Sequence, residues 1–430
     1  MTNEKPAVNA FDKTVQSTDS TLVNNSVVTY FLSIFILSFL YFVFNGSICH
    51  ASPTGSQWVG TWATAPQLVE PHNMPPEPGL TDNTLRQIIR VSIGGDSLRV
   101  KFSNEFSNSP VTLKSVQIAV ATGESSIDIS TSKQLMFQGN TEVTMDAGGY
   151  ITSDPIAFDL KSRMDLAITI YFGQTSATVT GHPGSRTTSY ILAGNHVSAN
   201  NFNDAIKTDH WYIINNIDVK AAEQAAAIAI LGNSITDGRG SGTNKQNRWP
   251  DILSEQLLKN TATEQVAVLN LGIGGNCVLR QCLGPSAIDR FNRDVIRQQK
   301  VKWLIILEGV NDIGQTDSLS AEKVAADLIV AYKQMIDSAH ARGIKVYGAT
   351  ILPIGKSFYY KPYHETARAQ VNSWIRNGGM FDAVIDFDKL MQNPQDTESL
   401  LPEVHSGDFL HPNEEGYKRM GEGIDLKLFE

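Results

Sequence analysis

Four short segments in the second half of the 430-residue chain carry residue types that together suffice for acyl transfer. Ser234 lies in Leu231-Gly232-Asn233-Ser234-Ile235-Thr236-Asp237-Gly238, directly after an apolar run. A hydroxyl is a poor nucleophile at neutral pH and needs a base, most often an imidazole, to take its proton. His411 in Asp408-Phe409-Leu410-His411-Pro412 is the candidate base. Asp408, three residues earlier, can accept from its other nitrogen and fix its tautomer. Attack on an ester carbonyl creates an anion that needs preplaced donors. The Ser234 N–H, the Gly275 N–H in Asn270-Leu271-Gly272-Ile273-Gly274-Gly275-Asn276, and the Asn311 amide in Gly309-Val310-Asn311-Asp312 can supply three. Each is worth roughly 10²–10³ in rate. Taken singly, these motifs have ordinary readings: Ser234 as a helix cap, the glycines as a turn, Asn311-Asp312 as a cap, Asp408 and His411 as a surface pair. Their order, each at a strand end or before the last helix, favours catalysis. The first loop has neither phosphate-cradling glycine spacing. Every part is a side chain or a backbone amide, so no metal or organic cofactor is implied.

The elements that must hold these groups follow from hydropathy patterning. Ala226–Leu231, Val266–Leu271, Val301–Leu307, Lys345–Leu352 and Ala383–Phe387 are five strand candidates. Helical patterns alternate with them. Trp249–Lys259 has Pro250 in its first turn. A second helix is capped by Ser320 with Glu322 close behind. It shows an apolar face at Val324, Leu328, Ala331, Met335 and Ala339 and stops at Gly343. This alternation predicts an α/β region with a doubly wound parallel sheet, whose functional groups gather at the carboxyl ends of its strands.

From Trp58 to about Val219 the pattern is of strands instead. Ile89, Val91 and Ile93, then Leu98, Val100 and Phe102, alternate with polar residues around Gly94-Gly95-Asp96-Ser97, which predicts a β-hairpin. Val111–Ala121, Ile156–Leu160 and Leu166–Tyr171 are further strand candidates. An antiparallel β-sandwich or jelly-roll-like domain is expected. The organisation is therefore 1–51 as an N-terminal tail with a signal peptide or signal anchor, 52–219 as the β domain and 220–430 as the α/β domain.

Val27–Phe44 is mostly apolar, with Lys5 and Lys13 before it and no charge between Asp19 and Glu70. That asymmetry predicts export, with the remainder of the chain outside the cytoplasm. Cleavage near Cys49-His50-Ala51 and retention as an anchor both fit. Lys+Arg of 35 against Asp+Glu of 44 gives a net charge of −9. An acidic chain without a basic block argues against nucleic-acid binding. Any membrane contact is expected only through the N-terminal segment, and the oligomeric state is left open. Three cysteines exclude a disulfide scaffold. Cys277 and Cys282 are either bridged or two free thiols, and Cys49 belongs to the leader.

G-N-S-I-T-D-G, G-I-G-G-N, G-V-N-D and D-F-L-H-P resemble the four blocks of the SGNH (GDSL) esterase/acylhydrolase superfamily. The stretches D-G-R-G-S-G-T, N-R-W-P-D, L-E-G-V-N-D-I-G and G-D-F-L-H-P-N-E-E-G-Y are similar to a secreted subfamily. Its members include arylesterase/acylhydrolases linked to plant cell-wall breakdown, with an N-terminal β region. W-V-G-T-W-A-T-A-P-Q and T-L-R-Q-I-I-R-V-S-I-G-G resemble that region, so the likeness spans nearly all of 58–430. It implies a flavodoxin-like SGNH fold. It also implies Ser234 as nucleophile, His411 as base oriented by Asp408, and Ser234, Gly275 and Asn311 as the oxyanion hole. The usual Gly-Asp-Ser is here Gly232-Asn233-Ser234, which removes a charge beside the nucleophile.

The leading expectation is a serine esterase removing short acyl groups, acetyl first among them, from carbohydrate or small aryl esters. The alternatives are a lipase or phospholipase on the same fold, and a carbohydrate-binding surface protein with a vestigial esterase domain. Arg248 and Trp249 either border the site or pack. Trp58 and Trp62 either contact sugar or belong to the core. His364 and His405 are expected to be surface or structural.

Overall fold

Nearly unbroken apolar runs suit strands covered on both faces, and five of them form one parallel sheet. In the computed structural model, which describes residues 55–430, these are Ala226–Gly232 (β1), Val266–Gly272 (β2), Val301–Leu307 (β3), Lys345–Ala349 (β4) and Ala383–Ile385 (β5). Their order is β2-β1-β3-β4-β5. The chain moves outward in opposite directions from β1, so the carboxyl ends of β1, β2 and β3 flank the point where a doubly wound sheet opens a crevice. Successive β1 side chains enter different cores. Ala227, Ala229 and Leu231 join one cluster, Ile228 and Ile230 the other. Helix Ala321–His340 covers the first face with Leu328, Tyr332, Met335 and Ile336. Trp249 and Leu253 of helix Trp249–Leu258, with Tyr417 and Met420 of helix Glu414–Glu422, cover the second. The cap of helix Ala321–His340 differs from expectation. Ser320 makes no side-chain cap, and Asp317 Oδ1 accepts the Ser320 and Leu319 N–H groups instead.

The N-terminal region consists of antiparallel sheets. In one, Gly95–Ser103 pairs with Ile214–Ala222, which pairs with Ser56–Ala63. In another, Asn83–Arg90 lies between Ser189–Ala193 and Asp165–Phe172, and Val111–Gly123 follows. Leu98, Val100 and Phe102 of the first sheet share a core with Leu85, Ile168 and Ile170 of the second. Antiparallel pairing is as expected; the finer jelly-roll-like wiring stays an expectation. The hairpin around Gly94-Gly95 does not form. Its two strands belong to different sheets, and the segment between them is a corner. Val91 and Ile93 are fully buried there, and the Ser92 N–H donates to Thr61 O. Alternation reports which side chains are buried but not which strand lies alongside.

The core of the antiparallel sheets continues into the first face of the parallel sheet, where Val59 and Leu231 belong to one cluster with Leu269. The Val268 N–H of β2 donates to Ser92 Oγ at 3.1 Å. Antiparallel pairing ends at Ala222 and parallel pairing starts at Ala226, yet Gly55–Glu430 is one compact unit. No helix among the described residues is long and apolar enough to cross a membrane. Val27–Phe44, Cys49 and the 49–51 cleavage site lie outside the described residues.

A Cβ at position 94 would collide with the Leu160 carbonyl oxygen. Backbone cannot yield as a flexible side chain does, so Gly94→Ala is expected to destabilise the fold by about 1–3 kcal/mol. A fall in the urea midpoint at unchanged slope would show it.

Candidate active site

The turn after β1 carries Ser234, and the segment before helix Glu414–Glu422 carries His411. Ser234 Oγ and His411 Nε2 stand 2.8 Å apart, and His411 Nδ1 is 2.6 Å from Asp408 Oδ2. A carboxylate only accepts, so Nδ1 holds the ring proton and Nε2 turns its lone pair to the hydroxyl. Asp408 Oδ1 accepts the N–H groups of Leu410 and His411 at 3.0 and 2.9 Å. To close this turn, Phe409 takes a left-handed φ of 57°, a strained backbone of the sort that gathers at functional sites. Burial raises the Asp408 carboxyl, but the hydrogen bonds from His411 and Leu410 bring it down to about 2. Burial lowers His411 below its ordinary 6.5, with the Asp408 carboxylate pulling upward. The imidazole is thus a free base at neutral pH, aimed at a hydroxyl.

Three donors expected for an oxyanion border the same cleft of about 400 Å³: Ser234, Gly275 and Asn311. The Gly275 N–H has no partner among the described residues. Gly275 has φ of 70°, and a Cβ there would come within 2.7 Å of Leu283 Cδ1, so both conformation and space demand glycine. Leu283 is brought over it by the Cys277–Cys282 disulfide, whose Cα atoms are 5.6 Å apart. Asn276 Nδ2 fastens the same loop to the carbonyls of Leu283 and Pro285. Asn311 Oδ1 accepts from Tyr359 Oη at 2.9 Å, and its Nδ2 donates to Asn276 O at 2.7 Å. One amide hydrogen has no partner among the described residues. Tyr359 thereby sets the orientation of Asn311, a role that no local pattern in the sequence signals.

Beneath these loops lies a buried charge cluster. Arg290 donates to Gly232 O at the end of β1, Leu271 O in β2 and Asn276 Oδ1, at 3.1, 2.7 and 2.9 Å. Its carboxylate partners are Asp294 at 3.1 Å and Glu308 at 3.6 Å. Burial drives the Glu308 carboxyl up to about 8, against the attraction of Arg290. Asn233 answers to this neighbour. Its Oδ1 accepts from Ile235 N, and its Nδ2 donates to Glu308 Oε2 at 3.3 Å. An aspartate at 233 would set two carboxylates face to face in a dry site. Sequence reading singled out neither Glu308 nor Arg290.

The antiparallel sheets furnish one wall of the cleft, with Gln67, Glu70, Asn73, Arg186 and His210. Buried His182, also from that region, donates to Asp237 Oδ1 at 2.8 Å and contacts Ala65 O at 3.0 Å. The turn carrying Ser234 is thus tied to the antiparallel sheets. Neither contact was foreseen, because the partners are far apart in sequence. Trp249 is fully buried in the second core, and Arg248 binds Asp251 and Gln246, so both are packing residues. Trp62 is buried against Trp211, and Trp58 lies under the Arg99 guanidinium. His364 is structural, with its nitrogens on Tyr359 O and Thr316 O.

Residues 230–419 match the model of the GDSL-like Lipase/Acylhydrolase family. They form a GDSL-like lipase/acylhydrolase domain. The chain is accordingly a carboxylic ester hydrolase. Among solved structures it is similar to a GDSL-like lipase from Bacteroides thetaiotaomicron, at 20% identity and TM-score 0.36, covering 49% of this chain and 90% of that one. It is also similar to a catalytic mutant of an acetylxylan esterase from Geobacillus stearothermophilus, at 19% identity and TM-score 0.37, covering 47% and 93%. No curated protein sequence matches the chain.

The raised Glu308 value carries a sign. Its contribution to folding is complete below the ordinary 4.5 and fades as pH climbs through about 8. In Asn233→Asp two facing carboxyls cannot both ionise, so that loss should deepen by about 1–3 kcal/mol near pH 9 and shrink near pH 5. Thermal melts of Asn233→Asp across pH measure it, and adding Glu308→Gln should remove the pH-dependent part.

Proposed function

We propose that the acylhydrolase domain works as a serine esterase on short-chain esters, acetates first, whose alcohol half is a carbohydrate or a small aryl group. The carrying observation is the 2.8 Å contact of Ser234 Oγ with an imidazole whose other nitrogen is held by Asp408. In this reading His411 takes the Ser234 proton as Oγ attacks the carbonyl carbon. The resulting oxyanion is met by the Ser234 and Gly275 N–H groups and the second Asn311 Nδ2 hydrogen. The C–O bond to the alcohol then breaks, and His411 returns the proton to the departing oxygen. Water, deprotonated by His411, attacks the acyl-enzyme, and the acid leaves with Ser234 restored. Polar groups along the wall from the antiparallel sheets suit a hydroxyl-rich alcohol half. A second reading, a lipase, draws on Leu283 and Phe358, which border the cleft at 50% and 65% exposure.

We place the catalytic region outside the cytoplasm, on the charge asymmetry around Val27–Phe44. The Cys277–Cys282 bridge suits an oxidising compartment.

Hydrolysis of p-nitrophenyl acetate, butyrate and octanoate by the full chain tests the reading. Acetate should be preferred and turnover should vanish in Ser234→Ala; preference for octanoate favours the lipase. No Ser234-dependent turnover on any ester would sink the esterase and leave a vestigial domain. Because His411 acts unprotonated, kcat/KM should rise with pH along a limb centred below 6.5 and then level off. Tyr359→Phe frees the Asn311 amide to turn, so kcat should fall about tenfold with KM little changed.

A further inference from the structure

Of the two acids bordering the cleft, Glu70 has both oxygens occupied, whereas neither of the cleft's two arginines makes a side-chain hydrogen bond among the described residues. Glu70 accepts from Gln67 Nε2 on one oxygen and from Asn73 Nδ2 on the other, at 2.7 and 3.0 Å. Asp237 Oδ1 is held by His182 at 2.8 Å, while its buried Oδ2 has no hydrogen bond among the described residues and faces Arg186. The exposed Arg239 guanidinium has no ion pair or hydrogen bond among the described residues, although its backbone is fixed at both ends. The Arg239 N–H donates to Ser234 O at 2.9 Å, and its carbonyl accepts from Tyr417 Oη at 2.7 Å. Arg186 makes one long ion pair, 4.0 Å to Asp237 Oδ2, and its buried Nε has no hydrogen-bond partner among the described residues. A non-glycine φ of 51° fixes its backbone at the cleft.

Both guanidiniums border the cleft together with Ser234 and His411, and both act on the imidazole as like charges that lower its basicity. His411 is the group that protonates the departing alcohol, so cations beside it face the alcohol half of the ester rather than the acyl half. A guanidinium offers a planar fork of N–H donors that fits a carboxylate with two parallel hydrogen bonds. With a net charge of −9, the chain as a whole repels anions, so any preference for one must arise from local contacts.

We propose that Arg186 and Arg239 form a specificity site for esters whose alcohol half bears a carboxylate, such as an acylated uronic acid or hydroxybenzoate. The proposal rests on the esterase reading above and narrows its substrate class.

The test is the ratio of kcat/KM for 4-carboxyphenyl acetate to that for phenyl acetate, measured on the full chain at low salt. A ratio cancels general effects of a substitution on the Ser234 chemistry. In Arg186→Gln and in Arg239→Gln the ratio should fall about tenfold, mainly through KM for the carboxylate ester. Arg239→Lys, which keeps the charge but loses the fork, should restore only part of it. Added salt should lower the wild-type ratio, because it screens an exposed ion pair. The proposal is overturned if the ratio is the same in wild type and both glutamine variants, or if both esters lose rate by one factor. Absence of Ser234-dependent turnover of either acetate overturns the esterase reading and this proposal with it. Turnover of phenyl acetate with an insensitive ratio overturns this proposal alone.

Discussion

One buried guanidinium holds the catalytic loops in register. Arg290 reaches the last carbonyl of β1, a carbonyl of β2, the Asn276 side chain and the Glu308 carboxyl, and it is 1% exposed. Taking such a charge out of water costs several kcal/mol, recovered only if its donors are met by well-placed acceptors. The acceptors that meet them are backbone and side-chain groups of the loops bearing Ser234, Gly275 and Asn311. The positions of those loops are thus set by the need to solvate one cation with protein atoms. The same chain of charges extends outward. Asp294 also pairs with Arg293, which reaches Glu105 and Pro66 O in the antiparallel region.

Asn233 shows how a departure from a familiar pattern is settled by its surroundings. Beside a nucleophile, an aspartate and an asparagine differ by one charge and one donor. In this protein the donor is used, because Asn233 Nδ2 donates to the Glu308 carboxyl across from it. The charge balance of the region is kept by Arg290 and Asp294 rather than by a carboxylate at 233. What the sequence displays as an exception is, in the folded chain, one side of a compensated pair.

Legibility followed the range of the interactions. The five strands of the parallel sheet could be read because burial on both faces leaves an unbroken apolar run in the sequence itself. The segments bearing Ser234, Gly275, Asn311 and His411 could be read because each is a local pattern of a few residues. Partners across long separations could not. The alternation at Ile89–Phe102 is real, but it recorded burial in two different sheets. Tyr359, His182 and Arg186 carry no local mark, since each acts on a group far away in the chain. Arg290, within Ala-Ile-Asp-Arg-Phe, reads as an ordinary surface residue of a short helix until the loops it serves are in place.

The pairing of Ser56 with Ala222 has a consequence for how the chain is born. The first strand of the antiparallel region has its partner in the last, so that region cannot close while the polypeptide is still emerging from the ribosome up to that point. Such long-range closure is slow, because loop entropy is lost before the contacts that offset it are made. Until it is complete, the apolar face of β2 that meets Val59 has no cover. Residues 226–430 are therefore not a cassette that can be moved between proteins. Cut free, they would keep Ser234 and His411 but bare a sticky surface and lose one wall of the cleft.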